Sequence, residues 1–354
     1  MRIQKVLALL LAMLALVSCA QMPEQQPSDI EIEYEGYVDA VPLMEEIEEE
    51  DPALAAAPAA VSSTTVTASV AAEAAAIVGT TPVPAAGTTI PVAVASGTKV
   101  KKVSKAVIDY SNTKDGYVMV KFTGQTTKNL KAQVKGPTTT YTYNVTPGVW
   151  EVFPVSDGNG KYRVAVFENV SGTRYASVTY VDFDVTLKDE FAPFLLANQY
   201  VNYTADSAIV AKAKELVKPE MKLLDKVGTV YNFVVGNLTY DYQKAATVKS
   251  GYLPVLDSVL AEKKGICFDY AALMTGMLRS QGVPCKLVIG YAGTAYHAWI
   301  SVWSEDTGWV DGAIMFDGRT WHRMDPTFAS SGKKSESIMK YIGDGKNYTA
   351  KYLY

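Results

Sequence analysis

The feature that most constrains the fold of this 354-residue chain is a change in hydrophobic period near residue 284. Residues 263–284, KKGICFDYAALMTGMLRSQGVP, carry apolar residues at helical spacing and end in a Gly and a Pro that favour a helix stop. From Cys285 onward, CKLVIGY, YHAWISVW, GWVDGAIMF and RTWHRMDPTF alternate with the period of strands. Helices followed by an antiparallel meander predict an α+β domain over residues 188–354.

The segment before this domain has a different pattern. Residues 99–187 contain short β-type runs such as YVMVKFT and KYRVAVFEN, separated by Gly, Asn, Asp and Pro. Six or seven such runs predict a small β-sandwich of immunoglobulin-like type. DGNG at 157–160, between two alternating runs, predicts a β-hairpin. Nothing here resembles a catalytic constellation, so we interpret the segment as a spacer or a binding module.

Residues 19–98 have the composition of a disordered tether. Positions 21–51 hold twelve acidic and no basic residues, and from 52 to 98, where Ala, Thr, Val, Pro and Ser dominate, the only charge is Glu73. Removing the residues before 99 from the totals leaves 31 basic and 24 acidic residues, a net charge of +7. This balance suits either an anionic cell wall or an ordinary solvated surface. No basic cluster is interleaved with aromatics, so we expect no nucleic-acid partner.

The first eighteen residues have the layout of an export signal. Arg2 and Lys5 precede twelve apolar residues, a run shorter than the roughly 20 that span a bilayer. Leu16-Val17-Ser18-Cys19 resembles the bacterial lipobox, which implies that Cys19 is the lipidated first residue of a mature lipoprotein. The resemblance implies a bacterial, membrane-anchored protein at the cell surface. The alternative is a simple secretory signal with an incidental cysteine.

If Cys19 is lipidated, two cysteines remain, Cys267 and Cys285. A helix from Cys267 to about Gln281 is about 20 Å long, whereas a disulfide needs Cα atoms within about 7 Å. We therefore predict two free thiols. Cys285 opens an apolar strand and is expected to be a core residue.

Cys267 falls at the predicted start of a helix. There the macrodipole and unpaired N–H groups favour the thiolate, and the same N–H groups suit an oxyanion. Gly265 would let the backbone come close to a substrate. A thiolate in acyl transfer also needs an imidazole, and the imidazole needs an orienting partner.

The chain has only two histidines, so only two residues can supply the imidazole that pairs with Cys267. In YHAWISVW, alternation places His297 on the face opposite to Ala298, away from the apolar side of its strand. Asp325 precedes a proline, which favours an extended backbone at a strand end. The competing base, His322, would lie on the opposite strand face from Asp325. A core role for Cys267 is the remaining alternative.

At this point GICFDYAALMTGMLRSQGVPCKLVIGY, YHAWISVW and MDPTF, in that order, resemble the transglutaminase-like superfamily with its papain-like core. The resemblance covers roughly residues 190–330. It implies Cys267 as nucleophile, His297 as base and acid, and Asp325 as its orienting partner. It also implies an upstream aromatic that binds the oxyanion, for which Tyr240 or Tyr242 is the candidate, with a packing role as the alternative.

These patterns predict a surface-anchored, cysteine-dependent amide hydrolase or acyl transferase acting on protein or cell-wall peptide, with peptidase or amidase action favoured. The alternatives are a cross-linking transglutaminase and a non-enzymatic surface scaffold. No cofactor is expected, since no nucleotide-binding or EF-hand pattern occurs. No metal is expected either, because the Cys and His spacing lacks paired ligands. Asp269 is expected to be structural, and the protein is expected to be a monomer.

Overall fold

The computed structural model describes residues 90–249, 251–292, 295–304, 308–311, 315–316, 321–322 and 348–354. The first part of this region is all β. Its strands are β1 Val100–Lys102, β2 Ala106–Asp109, β3 Tyr117–Phe122, β4 Leu130–Lys135, β5 Thr140–Asn144, β6 Trp150–Pro154, β7 Gly160–Ser171 and β8 Arg174–Val185. The β-type runs in the sequence did not include β1 or β2: all three residues of β1 are exposed, and β2 has only four residues.

These strands form two four-stranded antiparallel sheets, ordered β1-β2-β3-β6 and β5-β4-β7-β8. Alternate residues of both sheets, such as Val120 and Val164, are fully buried in one hydrophobic core. Tyr143 of β5 stacks on Phe153 of β6 with ring centroids 4.4 Å apart, across the space between the sheets. The segment therefore consists of two antiparallel sheets packed face to face, and its immunoglobulin-like type stays a prediction.

The hairpin predicted at DGNG does not form. This turn joins β6 to β7, which belong to different sheets, so the hairpin prediction was wrong. The Asp157 carboxylate accepts hydrogen bonds from Thr138 N at 2.5 Å and from Thr139 N at 2.9 Å, fixing the turn to the β4–β5 loop. A local turn signal predicts a chain reversal, but long-range packing decides which sheet the next strand joins.

The last nine residues of the predicted tether lie against the sandwich. Val94 N is 3.1 Å from the Tyr117 hydroxyl, and Asn112 Nδ2 donates to Val94 O at 2.7 Å. Gly97 N donates to Asp109 Oδ2 at 2.7 Å. The described part of the chain thus includes the end of the predicted tether, and residues 19–89 lie outside the described residues.

The second part of the chain places helices before an antiparallel sheet. The helices are α1 Ala208–Leu216, α2 Leu223–Asn237, α3 Tyr242–Thr247, α4 Leu256–Glu262 and α5 Cys267–Ser280. The strands are β9 Thr239–Tyr240, β10 Lys264–Gly265, β11 Cys285–Ala292, β12 Ala295–Ser304, β13 Gly308–Asp311, β14 Met315–Phe316, β15 Trp321–His322 and β16 Tyr348–Leu353. The main sheet has the order β13-β12-β11-β16, which agrees with the predicted α+β class.

Helix α5 is the centre of this part. Every one of its residues is buried, and it packs against α1, α2, α4, β11 and β12. Gly276 makes close packing possible, since a Cβ there would lie 2.8 Å from Leu256 Cδ1 and 2.9 Å from Ile209 Cδ1. No helix in the described part of the chain is long and apolar enough to cross a membrane.

One buried side chain ties the end of α5 to its surroundings. The Arg279 guanidinium donates to Cys285 O at 2.9 Å, to Leu196 O at 2.7 Å and to Tyr354 O at 2.5 Å. It therefore joins α5, the segment after the sandwich, β11 and the residue after β16. The planar guanidinium holds its N–H donors in fixed directions, so one side chain can bind three separate carbonyl oxygens.

Aromatic rings connect the sandwich to this second part. The Tyr143 ring lies 5.8 Å from Tyr354 and 5.7 Å from Tyr200. Tyr200 stacks on Tyr354 at 3.9 Å and lies 5.9 Å from Phe268, the neighbour of Cys267. A continuous apolar core therefore extends from the sandwich to the first turn of α5.

Candidate active site

Cys267 is the first residue of α5. The preceding residue, Ile266, has extended backbone angles of φ −95° and ψ 177°, so the chain turns into the helix at the thiol. The Cys267 side chain is 7% exposed. In this position unpaired N–H groups and the positive end of the helix dipole favour a thiolate, while burial opposes it.

Asp269 caps the first turn from within the helix. It is fully buried, and its Oδ2 accepts a hydrogen bond from Ile266 N at 2.8 Å. The same oxygen pairs with Lys244 Nζ of α3 at 2.7 Å, and its other oxygen accepts from the Tyr252 hydroxyl. Burial, and then the negative charge of Asp269, raise the pKa of Tyr252 far above its usual range, so Tyr252 stays a donor. Asp269 therefore has the structural role that was expected.

The absence of a side chain at Gly265 leaves room for the capping carboxylate of Asp269. A Cβ atom on Gly265 would lie 2.5 Å from Asp269 Cβ and 2.9 Å from Asp269 Oδ2. The sequence suggested that the glycine makes room for a substrate, whereas in the structure the adjacent group is the carboxylate of Asp269. The glycine is needed because the capping side chain folds back over it.

Tyr240 lies beside the chain that leads into Cys267. Strands β9 and β10 form a two-residue parallel pair in which Tyr240 is opposite Gly265, and Asp241 N donates to Gly265 O at 2.9 Å. Tyr240 is 7% exposed, and its ring lies 5.0 Å from that of Tyr242 in an edge-on arrangement. Tyr242 is 39% exposed. Tyr240 is thus the buried one of the two tyrosines, and its backbone pairs with the residue two before Cys267.

His297 lies in β12, the strand against which α5 packs. It pairs with Gly290 of β11 and is 3% exposed. Its ring lies 6.3 Å from Trp299 at an interplanar angle of 21°, and 6.4 Å from Tyr348 of β16. Ala298 and Ile300 belong to the main core, so the alternation predicted for this strand is present.

Gly290 allows the ring of Trp299 to lie beside His297. A Cβ on Gly290 would be 2.9 Å from Trp299 Cη2 and 2.1 Å from Thr349 O. The β11–β16 pairing shifts register at this point, which marks an irregularity in the sheet next to the histidine.

Residues 210–326 match the family model of the transglutaminase-like superfamily. The chain contains a transglutaminase-like domain. The matched range lies within the residues for which the motifs predicted this family, and the prediction is confirmed.

Proteins similar to this domain come from several organisms. A protein-glutamine gamma-glutamyltransferase of Pseudomonas aeruginosa is 26% identical over 111 residues, which are 27% of this chain and 14% of that protein. Protein YebA of Bacillus subtilis, uncharacterised, is 26% identical over 117 residues, 28% of this chain and 16% of that protein. The chain therefore spans less than a fifth of the length of either relative.

Among solved structures, the periplasmic domain of TgpA from Pseudomonas aeruginosa, bound to ethylmercury, is similar at 15% identity and a TM-score of 0.31. The match covers 67% of this chain and 77% of that one. Red sea bream transglutaminase is similar at 15% identity and a TM-score of 0.26, covering 64% and 53%. Scores this low add no weight to the assignment, which rests on the family model.

The transglutaminase-like domain holds two free cysteines with different surroundings, and the prediction of free thiols is confirmed. Cys285 is fully buried, and its Sγ is 3.6 Å from Thr275 Oγ1 of α5. Burial raises the pKa of the Cys285 thiol to about 11. Cys285 is therefore the buried core residue that was predicted.

Two predicted site residues lie outside the described residues, Asp325 and Cys19. His322 is in β15, which pairs with β14. Within the described residues no three His, Cys, Asp or Glu side chains are grouped as metal ligands would be.

Sequence reasoning missed the residues that support the candidate site. Lys244 and Tyr252 reach Asp269 from other elements, and Tyr348 reaches His297 from a strand some fifty positions later. A single lysine or tyrosine has no spacing signal, so only the tertiary structure identifies these contacts. The stacking of Trp299 on His297 was not foreseen either.

Proposed function

We propose that the transglutaminase-like domain is a cysteine-dependent acyl-transfer enzyme with Cys267 as nucleophile, His297 as base and acid, and Asp325 as the residue that orients His297. The observation that carries the proposal is the position of Cys267, the first residue of a buried helix that packs against the strand of His297. A thiol in that position gains the stabilisation that helix N-termini give to a thiolate.

The chemistry proceeds through a thioester. The Cys267 thiolate attacks an amide carbonyl, a C–S bond forms, and the carbonyl oxygen becomes an oxyanion. His297, which holds the proton taken from the Cys267 thiol, gives that proton to the departing nitrogen as the C–N bond breaks. Water then attacks the thioester while His297 takes a proton from it, a C–O bond forms, the C–S bond breaks, and the carboxylic acid leaves Cys267 as a thiolate beside protonated His297. N–H groups of the first turn of α5, with Tyr240, would stabilise the oxyanion.

We propose hydrolysis, as a peptidase or amidase acting on a protein or a cell-wall peptide, rather than cross-linking. In the cross-linking reaction a primary amine would replace water in the second step. The residues that attack the amide are the same in both reactions. A non-enzymatic scaffold remains the alternative of a different class.

The test uses the full chain with glutamine-containing and cell-wall peptides, with and without a fluorescent primary amine. We expect hydrolysis products that are lost in Cys267→Ala and retained in Cys285→Ala, the matched buried thiol. Incorporation of the amine in place of hydrolysis would favour a cross-linking enzyme. Equal behaviour of the two variants would contradict the proposal.

We also propose that the protein is a bacterial surface lipoprotein, anchored through Cys19 and working as a monomer. The proposed layout is a tether, an immunoglobulin-like sandwich that serves as spacer or binding module, and the catalytic domain. The support is the basic, apolar start of the sequence and the lipobox-like LVSC. Detergent phase partitioning tests it: the protein should enter the detergent phase, and Cys19→Ala should not.

A further inference from the structure

Three polar groups from three parts of the chain meet at the first turn of α5. Lys244 Nζ lies 2.7 Å from Asp269 Oδ2 and also donates to the Tyr252 hydroxyl, which donates to Asp269 Oδ1. Asp269 is fully buried, and the Lys244 side chain is 27% exposed. The buried Asp269 carboxylate accepts from three donors: Lys244, Tyr252 and the amide of Ile266. These contacts compensate for burying its charge, which would be costly if it were unpaired.

The location of this network has an electrostatic consequence. Asp269 Oδ2 is 2.8 Å from the amide nitrogen of Ile266, the residue just before Cys267. Asp269 and Cys267 share the first turn of α5, and an unpaired carboxylate on that turn disfavours a thiolate there, because the two negative charges repel each other. The cap and an activated thiol are compatible only if the charge of Asp269 is neutralised.

We propose that Lys244 is a positioning residue for Cys267: its ammonium neutralises Asp269, so that Asp269 orders the first turn of α5 without opposing the thiolate. Tyr252 completes the arrangement by holding Asp269 Oδ1 and Lys244 together. The inference rests on the proposed function, in which Cys267 reacts as a thiolate.

Other charged and titratable groups face this turn from neighbouring elements, and they differ from the network in burial or pairing. Asp241 of β9–α3 pairs with Lys264 of β10 at 3.1 Å, and the Lys264 side chain is 46% exposed. Tyr240 of β9 lies opposite Gly265, and His297 belongs to β12, which packs against α5. The charges of Glu262 in α4 and of Asp241 reach Tyr252, and the charge of Lys244 also reaches Asp241. Since the Asp241–Lys264 pair is more exposed and more strongly screened, it provides a matched control.

The test is the rate of Cys267 alkylation by iodoacetamide against pH, followed by mass spectrometry on the full chain. The variants are Lys244→Met, Asp269→Asn, the double variant, and Lys264→Met as the control lysine. Protection of buried Cys285 in the same digest shows that each variant is folded. We expect Lys244→Met to raise the pH midpoint by about one unit or more, and Lys264→Met to leave it unchanged.

The double variant makes the test specific to charge. Because Asp269→Asn removes the repelling carboxylate, the double variant should return to the wild-type midpoint, which a purely structural role would not produce. A Lys244→Met midpoint equal to wild type, or a double variant no different from Lys244→Met, would overturn the inference while leaving the proposed function intact. If wild-type Cys267 itself behaves as an ordinary thiol, the proposed function fails, and the inference fails with it.

Discussion

A Cβ atom placed on Gly265 would lie 2.5 Å from the Cβ of Asp269, a separation that folded proteins do not tolerate. The glycine, the capping carboxylate and Cys267 between them therefore form one unit of five consecutive residues, 265–269. The first turn of α5 is held by this local cap and also by the contacts that Lys244 and Tyr252 make with Asp269.

The first prediction concerns this contact. Gly265→Ala should displace Asp269, remove the cap on Ile266 N–H and lower the free energy of unfolding by about 2 kcal/mol, measured by urea denaturation. The control is Gly228→Ala in α2, where a Cβ meets nothing within 4 Å. That change should be neutral or stabilise by about 0.5–1 kcal/mol. Equal effects of the two changes would contradict the role assigned to Gly265.

The second prediction separates the two oxyanion candidates. Tyr240→Phe should lower kcat on an amide substrate by about 100-fold with little change in KM, because a donor used in the transition state is lost. Tyr242→Phe should leave kcat close to wild type, since Tyr242 is the more exposed ring of the pair. If kcat is unchanged in Tyr240→Phe, Tyr240 is a packing residue.

The sequence predicted elements whose signal is local. Residue spacing alone predicts helix α5, the alternation in β11 and β12, and the change of hydrophobic period between α5 and β11. The sandwich was also predicted, but the path of the chain through DGNG was not, because Asp157 is held by Thr138 and Thr139 from a different loop.

The candidate site was predictable only in part. Cys267 could be assigned a helix start, because a glycine loop precedes it and the helical spacing follows. The approach of the tilted Tyr348 ring to His297, and the ion pair between Lys244 and Asp269, involve side chains from distant parts of the chain. Such contacts leave no periodic trace in a single sequence.

The third prediction concerns the buried guanidinium of Arg279. Arg279→Lys keeps the charge but cannot reach three separate carbonyls, so the free energy of unfolding should fall by about 3 kcal/mol. Arg163→Lys is the matched control, because Arg163 pairs with Asp182 on the surface, where the Asp182 side chain is 57% exposed. That change should cost less than about 1 kcal/mol. Similar decreases in the free energy of unfolding in both variants would show that the three hydrogen bonds of Arg279 contribute no more than a surface ion pair.

The fourth prediction concerns alkaline pH. Burial raises the pKa of Cys285 from 9.0 to about 11, so the folded state keeps a proton that the unfolded state releases. The resulting stabilisation is present below pH 9 and is lost as pH rises to about 11. The loss is on the order of 2 kcal/mol.

The measurement is urea denaturation at pH 8 and pH 10 of the wild type and of Cys285→Ala. The wild type should lose more stability than the variant between the two pH values, because the variant has no thiol to titrate. Buried tyrosines such as Tyr141, whose pKa burial raises well above its usual range without any contribution from Cys285, affect both proteins equally. A pH dependence that is the same in both would contradict the assignment of Cys285 as a buried, protonated thiol.

The fifth prediction tests the activation of Cys267 itself, through the rate of its alkylation against pH in the wild type and in His297→Ala, with Cys285 as the internal reference. We expect a rate plateau that extends well below the ordinary thiol pKa of about 8.5 and is lost in His297→Ala. A midpoint at or above 8.5 in both proteins would show that neither the helix N-terminus nor His297 activates Cys267.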